Sequence, residues 1–222
     1  MNILQTYSSQ EMPDKLRQFS EKVQRLHPSW NYLFFSDEDI VRFFEEEVPH
    51  LQETFQGLDL KIQQLDFFRY AAIHHYGGLY LDLDMDMDLP FDEKDLSKCY
   101  FPQELERNGD PVLRKQGIDL LVGNYAFYAP KGHFFLQTLM DNISTQRIST
   151  LDIQEAQARR MDKSAVHVYY TTGPVMVTQT YADVGQGHVQ LLSPTPFAPS
   201  AFGKYGKHVM YGSWKRQALS PL

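Results

Sequence analysis

The chain has one cysteine, Cys99, so it offers neither an internal disulfide nor a Cys-x-x-Cys pair. A disulfide scaffold and a cysteine zinc site are excluded, and the composition suits a reducing compartment. No stretch approaches the ~18 consecutive apolar residues of a membrane span, and Met1 to Pro13 lacks the basic patch and apolar run of a signal peptide. On this basis a soluble, cytoplasmic protein is expected. Positive charge is also scarce. With 21 Lys and Arg against 28 Asp and Glu, the net charge of −7 argues against a nucleic-acid partner held by phosphate neutralisation. Several catalytic patterns are missing as well: the Gly-x-x-x-x-Gly-Lys-Ser/Thr loop, His-Glu-x-x-His and Gly-x-Ser-x-Gly. Gly185-Gln186-Gly187 lacks the third glycine and preceding strand of a dinucleotide loop and reads as a turn.

What is present is a globular composition, 42% hydrophobic with 15 Phe and 13 Tyr, long enough at 222 residues for one full core. A single domain over 1–222 is expected. Asn2 to Tyr7 reads as a buried strand, and Pro13 opens a helix with Leu16, Phe19, Val23 and Leu26 at helical spacing, ended by His27-Pro28. Trp30 to Phe35 is a second strand. Ser36-Asp37 then caps a short helix carrying Ile40, Val41, Phe43 and Phe44. Successive strand-helix units predict an α/β fold with parallel neighbours. A further helix is predicted from about Leu60 to Tyr76, stopped by Gly77-Gly78. The second half yields an apolar stretch from Ile118 to Ala129, helices near Phe134 to Ile143 and opening at Pro174, and a polar stretch from Ser144 to Lys163, without a topology.

The charge is concentrated in one place. Between Asp82 and Asp95 lie seven acids and one base, Lys94. From Leu79 to Leu89, apolar residues alternate with Tyr80, Asp82, Asp84, Asp86 and Asp88, which predicts one strand with carboxylates along one face. Such a row repels itself unless a cation binds. Alternate strand residues stand ~6.6 Å apart, so four carboxylates cannot share one ion, but two can where the strand bends or ends. A solvated acidic face is the plain alternative. A calcium loop starting at Asp82 fails at its sixth position, where Met87 replaces the required glycine. Upstream, Asp66 and Arg69 share a helix face, and spacing alone gives a surface ion pair of ~0.3 to 0.5 kcal/mol.

Asp66-Phe67-Phe68-Arg69-Tyr70 followed by Tyr76-Gly77-Gly78-Leu79-Tyr80-Leu81-Asp82-Leu83-Asp84 resembles the core signature of glycosyltransferase family 32. This is the DXD-motif sugar-transferase group that includes mannosyltransferases, capsular polysaccharide transferases and relatives of the large clostridial glucosylating toxins. Ile3 to Tyr7, Pro28 to Tyr32, Asn124 to Pro130 with His133, Thr172-Gly173-Pro174, His208 and Ser213-Trp214 agree with it across most of the chain.

The resemblance implies a GT-A fold, a Rossmann-like mixed sheet flanked by helices. It also implies retaining transfer of a hexose from a UDP- or GDP-linked donor to a glycan or other hydroxyl acceptor, in surface or capsular glycan synthesis. Asp82 and Asp84, with His208 as third ligand, would hold a divalent ion, and one imidazole among oxygens suits manganese better than magnesium. Asp82 would share metal and ribose contacts. Asp66 and Arg69 would contact donor-sugar hydroxyls and Asn124 would face the reacting sugar. Thr6 and Tyr7 would lie by the base, with Tyr7 as a stacking ring, and Ser213 and Trp214 would close over the diphosphate. The missing anchor favours a bacterial, viral or toxin-like setting. Two other classes stay open: a noncatalytic calcium-binding module and a nucleotide-sugar hydrolase.

Overall fold

The computed structural model describes residues 1–104, 110–159, 163–194 and 200–211. The chain opens with β1 (Asn2–Thr6), α1 (Asp14–Leu26) and β2 (Asn31–Phe35), and β1 runs parallel to β2 from Asn2 opposite Asn31 to Thr6 opposite Phe35. Ser36 then starts α2 (Asp37–Arg42). Its hydroxyl accepts from the Asp39 amide while Asp39 accepts from the Ser36 amide, so two otherwise orphaned donors are satisfied reciprocally. A wide turn over Phe43–Glu47 leads to α3 (Gln52–Gln56) and α4 (Lys61–Tyr76).

Helix α4 is buried along most of its length, from Ile62 to Ile73, because it lies between the sheet and further helices. It stops at Gly77 and Gly78, whose φ angles are +70° and +128°. A Cβ on Gly78 would stand 2.3 Å from the Asn2 carbonyl oxygen, so only glycine lets β3 (Gly78–Leu81) come down beside β1.

After β3 come β4 (Met85–Met87), β5 (Cys99–Glu104), α5 (Pro111–Lys115), β6 (Leu121–Val122) and β7 (Ala126–Ala129). They are followed by α6 (Phe134–Ser144), α7 (Thr150–Arg159), α8 (Lys163–Thr171), α9 (Pro174–Thr180), β8 (Val189–Leu192) and β9 (Gly206–His208). Helix α7 falls in the polar stretch for which the sequence offered no element. Among the described residues the main sheet has the order β2-β1-β3-β7-β5-β6 with β8 on β5, mixing parallel and antiparallel pairs. No described helix is long and apolar enough to cross a membrane.

Alternate strand residues fill two cores. Leu4, Tyr80 and Phe127 face a core shared with α4 and α6, where the Phe101 and Phe127 rings stack at 4.8 Å. Ile3, Leu79 and Tyr128 face a second core with Val23 of α1, Phe91, Phe202 and Tyr205. The chain leaves β1 for β2 through α1, then returns past β1 to β3 through α2, α3 and α4. The order therefore reverses beside β1, and a crevice opens at the carboxyl ends of β1 and β3.

The expected single strand from Leu79 to Leu89 is corrected. Residues 82–84 turn, with the Met85 amide donating to the Asp82 carbonyl at 3.0 Å, and β4 leaves the main sheet to pair with β9. The apolar alternation persists through the turn because Leu83, Met85 and Met87 are all buried, although the backbone has changed direction.

Candidate active site and metal centre

The crevice at the switch point is a cavity of about 380 Å³ lined by Thr6, Tyr7, Asp66, Arg69, Asn124 and His208 among others. Its position follows the rule for open α/β sheets, where ligands bind beyond the carboxyl ends of strands.

The turn that breaks the acidic strand brings its first two carboxylates together. Antiparallel pairing of β4 with β9 sets Met85 opposite His208, and this delivers an imidazole from far along the chain. His208 Nε2 lies 2.9 Å from Asp84 Oδ1 and 4.0 Å from Asp82 Oδ2. One ligand atom from each of Asp82, Asp84 and His208 lies within 4.8 Å of the others. Two carboxylates and one imidazole, all partly buried, form a donor set that fits a divalent ion of the manganese type. The second Asp84 oxygen accepts the Tyr211 amide at 2.8 Å, an arrangement made possible by Met210 at φ +55°. Asp86 and Asp88 do not join the cluster. Both pair with Lys22, at 2.7 and 3.2 Å, and Asp92 pairs with Lys204 at 2.9 Å, so cations offset much of the acidic run.

The two aspartates have unequal environments. Burial pushes the Asp82 carboxyl up, against the pull of Arg69 and His208. Burial also opposes ionisation of Asp84, but hydrogen bonds from His208 and the Tyr211 amide outweigh it and hold that carboxyl below its ordinary value. His208 is raised, since contact with both carboxylates overcomes the desolvation that would lower it.

Asp66 and Arg69 are corrected from a surface pair to a buried one. Their side chains are 5% and 6% exposed, with Arg69 Nη2 3.3 Å from Asp66 Oδ1. Arg69 Nη1 also lies 3.3 Å from Asp82 Oδ1 and donates to the Asn124 carbonyl at 2.9 Å. Asp66 accepts from Asn124 Nδ2 at 3.0 Å and from Thr172 Oγ1 at 2.9 Å. Burial lifts the Asp66 carboxyl to about 6 despite Arg69. Burial likewise works against the guanidinium charge, but Asp82 and Asp66 outweigh it and keep Arg69 protonated.

Asn124 reaches this network through an irregularity in the sheet. Tyr100 of β5 stands opposite Tyr128, yet Gln103 stands opposite Val122, so three steps on β5 correspond to six on its partner. The extra residues, 123–125, bulge out and aim Asn124 at Asp66 and Tyr70. Thr6 ends β1 and Tyr7 follows it, and both line the cavity. Ser213 and Trp214 lie outside the described residues.

Several participants were missed by the sequence reading. Tyr80 donates to Asp82 Oδ1 at 2.7 Å and carries the Arg69 guanidinium 4.7 Å above its ring. Its place on the same strand face as Asp82 was the available signal. Tyr70 holds Asn124 Nδ2 at 2.8 Å, and Tyr125 stacks on His208. Asp37 and Lys61 form an ion pair at the Tyr7 side, and both line the cavity. No local pattern predicts that pair, which joins residues 24 apart.

Residues 13–98 match the glycosyltransferase sugar-binding region containing the DXD motif. Mannosyl phosphorylinositol ceramide synthase SUR1 of Saccharomyces cerevisiae is 37% identical over 82 residues, 37% of this chain and 22% of that protein. Inositol phosphoceramide mannosyltransferase 2 of Schizosaccharomyces pombe is 31% identical over 151 residues, 68% of this chain and 41% of that protein. The chain thus spans well under half the length of these two relatives. The solved PaToxG glycosyltransferase superposes with a TM-score of 0.57 at 14% identity, covering 83% of this chain and 69% of that one, which establishes a shared fold. With its DXD region at the crevice of a GT-A sheet, the chain belongs to the family of DXD-motif glycosyltransferases.

Proposed function

We propose that this chain is a divalent-metal-dependent, retaining hexosyltransferase, acting as one GT-A domain and moving mannose from GDP-mannose to an acceptor hydroxyl. The observation that carries the reading is the meeting, in one cavity, of the Asp82, Asp84 and His208 cluster with the Asp66, Arg69 and Asn124 network. A bound manganese or magnesium ion would neutralise the donor diphosphate and stabilise the charge that develops on it. Asp84 and His208 would hold that ion, with Asp82 shared between it and the ribose. Asp66 and Arg69, buried and mutually oriented, bind hydroxyls of the hexose, and Asn124 fixes the face presented to the acceptor. The acceptor hydroxyl oxygen would bond to the anomeric carbon from the side on which the bond to the diphosphate breaks, its proton passing to the departing diphosphate, with no side chain assigned as nucleophile.

Two observations favour GDP-mannose over a UDP-hexose. The named relatives are mannosyltransferases of inositol phosphoceramide, which also favours a glycan or glycolipid hydroxyl as acceptor. At the Tyr7 side of the cavity, the Asp37 carboxylate and Lys61 ammonium match the edge of guanine. The carboxylate accepts from N1–H and the 2-amino group and the ammonium donates to O6. Uracil would turn an oxygen toward the same carboxylate.

The test is calorimetry with GDP, UDP and CDP, each with and without manganese. GDP binding that requires manganese, with Asp84→Asn folded but inactive in transfer, is the expected result. Ion uptake without nucleotide binding would replace the proposal with a cation-binding module. Donor consumption with no gain from any hydroxyl acceptor would replace it with a hydrolase.

A further inference from the structure

Tyr125 sits in the bulge between β6 and β7, directly beneath the third ligand of the metal centre. Its ring lies parallel to the His208 imidazole, with centroids 4.6 Å apart and planes 13° apart. The residue is only 5% exposed. Its hydroxyl is buried and has no hydrogen-bond partner among the described residues, although Tyr125 lines the cavity. A buried hydroxyl without a partner lowers stability, and phenylalanine would fill the same space without that cost. Gly123 completes the arrangement. A Cβ there would stand 2.7 Å from Tyr125 Cε1 and 3.0 Å from Glu104 Oε1, so the absence of a side chain lets ring and carboxylate converge.

We infer that Tyr125 orients the His208 imidazole for the metal with its ring face and reserves its hydroxyl for an oxygen of the bound sugar substrate. The inference rests on the transferase reading above. The ring is a positioning element, acting on the ion through His208, while the hydroxyl contacts substrate only when the cavity is filled.

The two roles separate by substitution. Tyr125→Phe keeps the ring and loses the hydroxyl. It should raise the Tm of the unliganded chain by about 2 to 4 °C, leave manganese affinity within twofold, and weaken GDP-mannose binding in saturating manganese by roughly tenfold. Tyr125→Leu removes the stack, and Gly123→Ala pushes the ring aside. Each should weaken the affinity for manganese alone by roughly tenfold. The measurements are differential scanning fluorimetry and calorimetry with manganese and with GDP-mannose. A lower Tm for Tyr125→Phe, or wild-type affinities in all three variants, would overturn the inference while the transferase reading stands. A folded wild-type chain that takes up neither manganese nor GDP-mannose removes the transferase reading itself.

Discussion

Arg69 Nη1 lies 3.3 Å from Asp82 Oδ1, and through this contact a helix residue assigned to the donor sugar is tied to a carboxylate of the metal cluster. The same guanidinium is 3.3 Å from Asp66 Oδ1, so one buried cation serves a buried acid and a partly buried one. The proposed sugar and metal halves of the site thus share the charge of Arg69.

Removing that charge should therefore damage the fold as well as the site. Arg69→Met leaves Asp66 without its counter-ion and Asp82 with His208 alone, and a loss of about 3 to 5 kcal/mol in unfolding free energy is expected. Arg69→Lys retains the charge but not the fork that reaches Asp66, Asp82 and the Asn124 carbonyl together, and should lose less. Urea titrations of both variants measure this, and equal losses in the two would show that charge without the guanidinium fork contributes nothing.

Donor choice is expected to reside in Asp37. If its carboxylate accepts from the guanine 2-amino group, GDP should bind roughly tenfold tighter than inosine diphosphate, which lacks that group. Asp37→Asn should reduce the difference to near unity. Calorimetry with both nucleotides in manganese decides it, and an unchanged ratio in the variant would exclude Asp37 as the reader.

His27 should make stability depend on pH. Its Nδ1–H donates to the Val23 carbonyl at 2.8 Å while Nε2 accepts the Phe91 amide at 2.9 Å, an arrangement that only the neutral ring can make. Burial depresses its pKa below 6.5 against the opposing bond to Val23. Its contribution is therefore complete above 6.5 and is lost as pH falls through the lower folded value. His27→Gln should lose about 1 to 3 kcal/mol at pH 7.5 and flatten the decline between pH 6.5 and 5, as read from urea midpoints.

Gly78→Ala tests the approach of β3 to β1. A methyl group would meet the Asn2 carbonyl oxygen at 2.3 Å in a backbone with φ +128°. A loss of about 3 kcal/mol or more is expected, visible as a lowered Tm with the secondary-structure content retained.

The readable parts of this chain were those where local pattern and tertiary role coincide. Leu16 and Val23 gave α1, Gly77-Gly78 marked the end of α4, and Pro174 opened α9, each through spacing or backbone chemistry that acts within a few residues. The Leu79 to Leu89 alternation misled because burial keeps period two on both sides of a turn, and periodicity reports burial rather than direction. The ion pair of Asp37 with Lys61 and the stacking of Tyr125 on His208 are products of topology, between residues with no pattern in common. The depth of Asp66 was equally hidden, since its partners Asn124 and Thr172 arrive from distant elements.

The β4 and β9 pairing also imposes an order in time. His208 follows Asp84 by 124 residues, so a chain emerging from the ribosome presents both carboxylates long before the imidazole that completes their cluster exists. Until β9 is laid against β4, Asp82 and Asp84 remain a weak two-oxygen site. If the proposed ion is bound there, its high-affinity uptake would report that the last described strand has been threaded into place.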